Sequence, residues 1–504
     1  MKKLIFFLLA LSIYIIYVFT KNLWNSEIFT FISLFFSMLS FLIALLLIFE
    51  NRSPTKTLIW LIALIFFPIF GFIFYILFGR SYIQRKINEK NNFIQTNHES
   101  NFELTKLINP NKELLDERQR IISRLAYNLG NSPISYETEV KVLANGKITF
   151  EEIIKSLEKA EHHIHLEYYI VRDDEIGQKI KNILIQKATE GVKVRFIYDL
   201  LGSWKLQKQY LKDLRSVGVT IEPFLPMKIR FLNNHINYRN HKKIIVIDGK
   251  VGFTGGINIG DEYLGKDKKV GFWRDTHIQL NGEAVNALQY FFQKDWLFAT
   301  NEKFSSDEYF NKNVKSSVPN TETGAVQVIN SGPDQKWNVI KDLFFSMITS
   351  AKKSIWLASP YFIPDEDIIS ALRIACLSGI DVKFLFPLNP DNRFVYYASR
   401  SYFSELLEAG MKIFEYKNGF MHSKFIIIDE EFATVGTTNV DLRSFYLNFE
   451  VNVILYEDES VRKLIDDFQT DLLVSTLIEY EQFSHRSITQ KIAESLARLA
   501  SPFL

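Results

Sequence analysis

Two stretches of this 504-residue chain carry the same chemically capable residues at the same spacing: His241, Lys243, Asp248, Gly255 and Asn258, and again His422, Lys424, Asp429, Gly436 and Asn439. A single H-x-K-x(4)-D match is a weak signal, because histidine and lysine adjoin many strands for no catalytic reason. Two matches, each followed at equal offsets by glycine and asparagine, are a strong one. On a strand the H-x-K spacing turns an imidazole and an ammonium to one face. Two copies face to face would gather two imidazoles, two ammoniums and two carboxamides around one point. That set suits a phosphodiester: lysine charge and asparagine donors hold the non-bridging oxygens, one imidazole attacks phosphorus, and the other protonates the leaving oxygen. The pattern requires no metal and contains no cluster resembling a zinc or magnesium site, so no metal or other cofactor is expected. Asp248 and Asp429 complete the candidate catalytic set, yet each stands at a strand end before a turn, where a structural or ion-pairing part is the reading.

The elements that must position these residues are themselves duplicated. The first copy reads as a helix (Phe150–Ala160), a strand (His163–Tyr169), a helix (Ile176–Thr189), Gly191 and a strand (Lys193–Tyr198). The second reads as a helix (Leu343–Ala351), a strand (Ser354–Ala358), a helix (Asp367–Ser378), Gly379 and a strand (Asp381–Phe386). Alternation of strands with helices predicts two α/β halves, over 135–310 and 320–485, around parallel or mixed sheets. The motif strands Ile244–Ile247 and Phe425–Ile428 are continuously apolar, as a sheet covered on both faces requires.

The formal net charge is only +2, with 59 basic against 57 acidic residues, so any anion site must be local and nucleic acid is not an expected partner. The single cysteine, Cys376, excludes an intramolecular disulfide and reads as core filler in an apolar run. Three apolar stretches open the chain, at about 4–20, 28–49 and 58–79. The second and third run about twenty residues without a charge, long enough to cross a bilayer, and a membrane helix tolerates Pro68 and Gly71. The first reads as an uncleaved third span, with a signal peptide as its competitor. Residues 1–82 are therefore expected to form a multi-pass membrane anchor and 83–134 a linker with a lead-in helix near Leu114–Leu129. Lysine and arginine are balanced on the two sides, which leaves orientation open. Lys228, Arg230, Arg239, Lys242 and Lys243 make a basic stretch that reads as an interfacial or a solvated loop. In the tail, 486–504, Ile488, Ile492, Leu496 and Leu499 recur at helical spacing and suggest packing against the core, with membrane contact as the alternative.

The doubled H-x-K-x(4)-D-x(6)-G-x(2)-N resembles the signature of the phospholipase D superfamily. Within it, the N-terminal apolar segments closing on Gly79-Arg80 resemble the bacterial cardiolipin synthases, as do Glu167-Tyr168-Tyr169-Ile170, Ser359-Pro360-Tyr361-Phe362-Ile363-Pro364, Asn448-Phe449-Glu450 and the closing Ser501-Pro502-Phe503-Leu504. The resemblance implies a duplicated phospholipase D-like fold, and an enzyme of the cell membrane that condenses two phosphatidylglycerol molecules to cardiolipin and glycerol through a phosphatidyl-histidine. It makes His241 the nucleophile and His422 the general acid. It also suggests Asp275, following His241, and Glu450, following His422, as supporting acids. A phospholipase D or a phosphatidylserine synthase-like transferase is the alternative, with a nuclease of the same fold behind them.

Overall fold

The computed structural model describes residues 27–49, 54–75, 115–225, 237–268, 270–302, 308–310, 324–456 and 459–501. The apolar stretch at 4–20, the linker before 115, and Lys228 and Arg230 of the basic stretch lie outside the described residues. The chain divides into two compact units, one from residues 1–87 and 227–236 and one from 88–226 and 237–504.

In the smaller unit, helix α1 spans Glu27–Phe49, followed by α2 (Pro54–Phe66) and α3 (Pro68–Phe74). Leu47, Leu64 and Tyr75 close a small core between them, while Phe31, Leu34, Phe41, Ile62 and Ile65 point outward. The third apolar stretch is not one continuous helix. Pro68 has no N–H to continue the ladder, so the chain breaks at Phe67 and restarts. Among the described residues, which leave out several side chains at the start of α1, no helix is long and apolar enough to cross a membrane.

The larger unit contains the duplication. Its first half contributes β1 (Thr138–Ala144), β2 (His163–Tyr168), β3 (Lys193–Tyr198), β4 (Thr220–Pro223), β5 (Lys243–Ile247), β6 (Val251–Gly255) and β7 (Thr276–Gly282) to a sheet of order β1-β7-β6-β5-β2-β3-β4. The second contributes β8 (Ala325–Ser331), β9 (Ser354–Ala358), β10 (Asp381–Pro387), β11 (Lys412–Tyr416), β12 (Phe425–Ile428), β13 (Phe432–Gly436) and β14 (Asn448–Tyr456), ordered β8-β14-β13-β12-β9-β10-β11. In each, the three strands joined by helices run parallel and the motif hairpin adds antiparallel strands beside them.

Strand alternation decides how the halves meet. Ile245 and Ile247 of β5 face the helices of their own half, whereas Ile244 and Val246 enter a core shared with Trp356, Phe425 and Ile427 of the other. The sheets thus pack on a common apolar layer. The lead-in helix, Glu117–Gly130, packs by Ile122 and Ala126 into the second half's core, and Ile134–Ser135 pairs with β8. The tail departs from expectation. In the helix Ile488–Leu499, Glu494 is buried in ion pairs with Arg400 and Arg486, so Ile488, Ile492, Leu496 and Leu499 face outward rather than into the core.

Asp248 and Asp429 stand at the far ends of β5 and β12 from the histidines. Asp248 accepts the backbone N–H groups of Glu161, His162 and His163 at 2.8–2.9 Å, and Asp429 those of Lys352, Lys353 and Ser354 as well as the Arg118 guanidinium. Each takes a left-handed turn, at φ 54°. The two aspartates therefore do not belong with the reacting groups: they pin the start of β2 and β9 to the motif strand. Asp248→Asn, which tolerates that turn, is expected to cost ~1–3 kcal/mol of stability through weakened amide acceptance. Turnover per folded molecule should persist. Loss of turnover in a variant still folded at the assay temperature would return the carboxylate to the chemistry.

Candidate active site

The two histidines are delivered by matching devices. Arg239–Asn240 runs parallel to Asn448–Phe449 of the other half, and the His241 N–H donates to the Phe449 carbonyl at 2.9 Å. Phe420–Met421 runs parallel to Trp273–Arg274, and the His422 N–H donates to the Arg274 carbonyl at 2.7 Å. Each short bridge therefore ends one residue before an acid of the opposite half. His241 Nδ1 lies 3.0 Å from Glu450 Oε2, and His422 Nδ1 lies 2.6 Å from Asp275 Oδ2. Asp275 and Glu450 are thus brought to the histidines, but each lies against the histidine of the other copy and not the one it follows in sequence. An ionised carboxylate only accepts, so Nδ1 carries the hydrogen in both pairs and Nε2 is left to react.

The acids are themselves held. Glu450 accepts the Thr437 hydroxyl and, at 3.1 Å, the Asn448 amide; Asp275 accepts the Thr276 N–H at 2.8 Å. The motif glycines make this approach possible. A Cβ on Gly255 would sit 2.6 Å from the His277 Cα, and one on Gly436 would sit 2.4 Å from the Val451 carbonyl oxygen, so any side chain would drive apart the strands that carry the acids.

Lys243 Nζ donates to the His241 carbonyl at 2.6 Å, and Lys424 Nζ donates to the His422 carbonyl while lying 3.0 Å from its ring. Burial pulls Lys243 down to about 7 and Lys424 down to about 8. Burial likewise lowers His241 to about 4, against Glu450 and with help from Lys243, and His422 to about 3, with help from Lys424. Burial acts to raise Glu450 and Asp275, but their histidines and the lysines outweigh it and keep both below the ordinary carboxylate range. The site is a buried cluster whose cations are poorly compensated, which a bound phosphodiester anion would relieve.

The asparagines differ from one another. Asn258 is committed to bracing, since its Oδ1 accepts the Ile170 N–H at 3.1 Å and its Nδ2 donates to the Tyr263 hydroxyl at 2.7 Å. Asn439 is buried with its side-chain oxygen unpartnered. Of the basic stretch, Arg239, Lys242 and Lys243 are buried, not solvated or interfacial. Lys242 turns away from the cleft into a network in which it meets Asp295, and Asn240 donates to Glu167. Sequence reasoning missed this network, although period-two alternation through 239–243 assigns Asn240 and Lys242 to the opposite face, where a buried lysine demands an acid. It also missed Thr437, and Trp273, whose ring lies 4.9 Å from that of His422.

Two measurements check this geometry. In unfolding experiments His241→Asn and Glu450→Gln should couple by ~0.5–3 kcal/mol, whereas His241→Asn and Asp275→Asn should add within ~0.5 kcal/mol; the reverse would restore pairing within each copy. The lysine values carry a sign as well. Both ammoniums are charged below their lowered values and lose charge above them, so kcat/KM should fall as pH rises through about 7 to 8. A profile flat to pH ~9.5 would mean that these lysines do not hold the phosphate.

Comparison with known proteins agrees with this architecture. A family model described as "Cardiolipin synthase, PLD-like domain" matches residues 153–296 and 344–472, and one described as "Phospholipase_D-nuclease N-terminal" matches 38–80. The chain is 50% identical to a cardiolipin synthase of Geobacillus sp. (strain WCH70), covering 100% of this chain and 99% of that protein. It is 53% identical to a cardiolipin synthase of Halalkalibacterium halodurans over 96% of both chains. Among solved structures, the phosphatidylserine synthase of Haemophilus influenzae Rd KW20 superimposes with a TM-score of 0.57 at 15% identity, over 76% of this chain and 100% of that one, a likeness of fold alone. By the match of its duplicated half-sites and by identity along its whole length, the chain belongs to the cardiolipin synthase family of phospholipase D-like proteins.

Proposed function

We propose that this chain transfers a phosphatidyl group from one phosphatidylglycerol to another, giving cardiolipin and glycerol. The observation that carries the reading is the pair of histidine–carboxylate couples, each completed across the halves, with two buried lysines between them. Cardiolipin synthases of about half-identical sequence support the choice of substrate. In the first step Nε2 of His241, its Nδ1–H held by Glu450, attacks phosphorus. His422, held by Asp275 and carrying a second proton on Nε2 once the phosphodiester anion is bound, gives that proton to the departing glycerol oxygen. Lys243 and Lys424 hold the non-bridging oxygens, and Asn439 is the better placed of the two asparagines to assist them. The hydroxyl of the second lipid then yields its proton to His422 as its oxygen bonds to phosphorus and the P–N bond breaks.

In this reading residues 1–82 anchor the enzyme to the cell membrane as a multi-pass segment, 83–134 link it, 135–310 and 320–485 are the two halves, and 486–504 form an amphipathic tail. The apolar residues exposed on α1 and α2 support such an anchor, since apolar side chains in this number are stable facing lipid and not water.

An acid is needed only to expel a poor leaving group, and general acid catalysis contributes ~10²–10⁴-fold. His422→Ala should therefore retain turnover on a phosphatidyl ester of p-nitrophenol, and His241→Ala almost none. A denaturation-stable lipid adduct trapped on His422, with none on His241, would exchange the two roles.

A further inference from the structure

The duplication is broken two residues before each histidine. Arg239 stands there in the first copy and Phe420 in the second, where its ring lies 5.6 Å from that of His422. It is broken again four residues after each motif asparagine. Arg443 occupies this place in the second copy and Glu262 in the first, where it is already paired with Arg172 at 3.0 Å. Because the halves cross, both arginines fall at the His241 end. Arg443 donates to the Asn237 carbonyl at 2.6 Å and Arg239 to the neighbouring Tyr238 carbonyl at 2.7 Å, so the two guanidiniums are tethered to consecutive residues of the segment that leads into His241. Arg239 lies two positions along from His241, ~6.5 Å on a strand and on the same face. Tyr169 walls this row, its ring 4.9 Å from that of His241 and 5.5 Å from Lys243 Nζ, and it feels the charge of both arginines.

Two carboxylates lie within electrostatic reach of the pair, and each accepts backbone N–H groups. Asp199 accepts the N–H groups of Leu201, Gly202 and Asn240 at 2.8–3.1 Å, and Asp441 that of Ser444 at 2.6 Å. Arg239 is buried and Arg443 half-buried, and each lowers the comfort of the other: burial and the Arg443 charge both pull Arg239 below its ordinary value, with Asp199 opposing. Two like charges kept together beside a phosphate centre form a ready fork for a further phosphate. The second reactant brings one: an acceptor phosphatidylglycerol carries its own phosphodiester one glycerol bridge away from the hydroxyl that reacts.

We propose that Arg239 and Arg443 form a second anion subsite that holds the phosphodiester of the acceptor phosphatidylglycerol while its free hydroxyl addresses the phosphatidyl-histidine. The proposal rests on the cardiolipin-forming reading of the site. It explains why an arginine pair stands at one end of a pseudo-symmetric cleft, whereas Phe420 and the Arg172-paired Glu262 hold the equivalent places at the other.

The test uses the full-length enzyme in phosphatidylglycerol vesicles containing ethanol, an acceptor without a phosphate. Wild type should form both cardiolipin and phosphatidylethanol. In Arg443→Gln the ratio of cardiolipin to phosphatidylethanol should fall at least tenfold, and Arg443→Lys should recover part of it. Arg239→Gln should lower the same ratio in whatever fraction folds, because a ratio of products does not depend on the amount of active enzyme. A ratio unchanged in Arg443→Gln, whether total turnover falls or not, would overturn the subsite. Wild type that makes phosphatidylethanol but no cardiolipin would instead overturn the cardiolipin-forming reading itself.

Discussion

The structure depends on one exchange: the carboxylate that meets each motif histidine comes from the opposite half. Glu450 reaches His241 and Asp275 reaches His422, each brought into register by a two-residue parallel bridge between halves. Neither half holds a complete couple. A shared apolar core follows from this, because acids can be aimed across an interface only if that interface is as rigid as a protein interior. Ile244 and Val246 packing with Phe425 and Ile427 supply that rigidity directly beneath the histidines.

The same exchange sets the electrostatics. Two lysines and two imidazoles share a desolvated space with Asp275 and Glu450, and burial outweighs these acids and the more distant Asp199, Asp391 and Asp441 to pull the lysines down to about 7 and about 8. A cleft in which ammoniums sit near their titration point is poorly satisfied without an anion. In the proposed mechanism an arriving phosphodiester would restore their charge and raise the basicity of the imidazoles, and so would supply the protonation state that expulsion of glycerol requires.

Much of this was legible in the sequence, and the part that was not has a physical pattern. The doubled motif, the α/β halves and the continuously apolar motif strands could be read because strand alternation and helix spacing are local. The faces of Asn240 and Lys242 were also readable, yet went unread because a run of basic residues looks like a solvated loop until each partner acid is located. The crossing of Asp275 and Glu450 could not be read at all: two acids at similar distances after two histidines suggest pairing within a copy, and only the closure of one half on the other decides otherwise. The break at Phe67 has its signal in Pro68, yet a membrane helix that tolerates proline predicts continuity there. The outward turn of Ile488 and Leu496 has no such signal, since the periodicity of a helix shows that it has two faces and not which one finds ion pairs in Arg400 and Arg486.

The two halves have diverged most where chemistry would demand it. A displacement at phosphorus that passes through a covalent intermediate needs one histidine to attack and another to move a proton, so two identical half-sites would each be suited to only half the task. The differences around them are consistent with that division. Glu450 is held by a threonine hydroxyl and an asparagine amide, whereas the space beside Asp275 is kept open by Gly256, on which a Cβ would lie 2.0 Å from the carboxylate. Tyr169 walls one imidazole, while Trp273 and Phe420 wall the other. The invariants of the duplication are the histidine and lysine that the proposed mechanism sets on the phosphate and the asparagine, glycine and turn residues that hold them; the departures lie in what surrounds each histidine. A fold built by repetition can therefore hold a symmetric anion between its copies and still treat the groups attached to that anion unequally, which is what the proposed reaction between two copies of the same lipid would require.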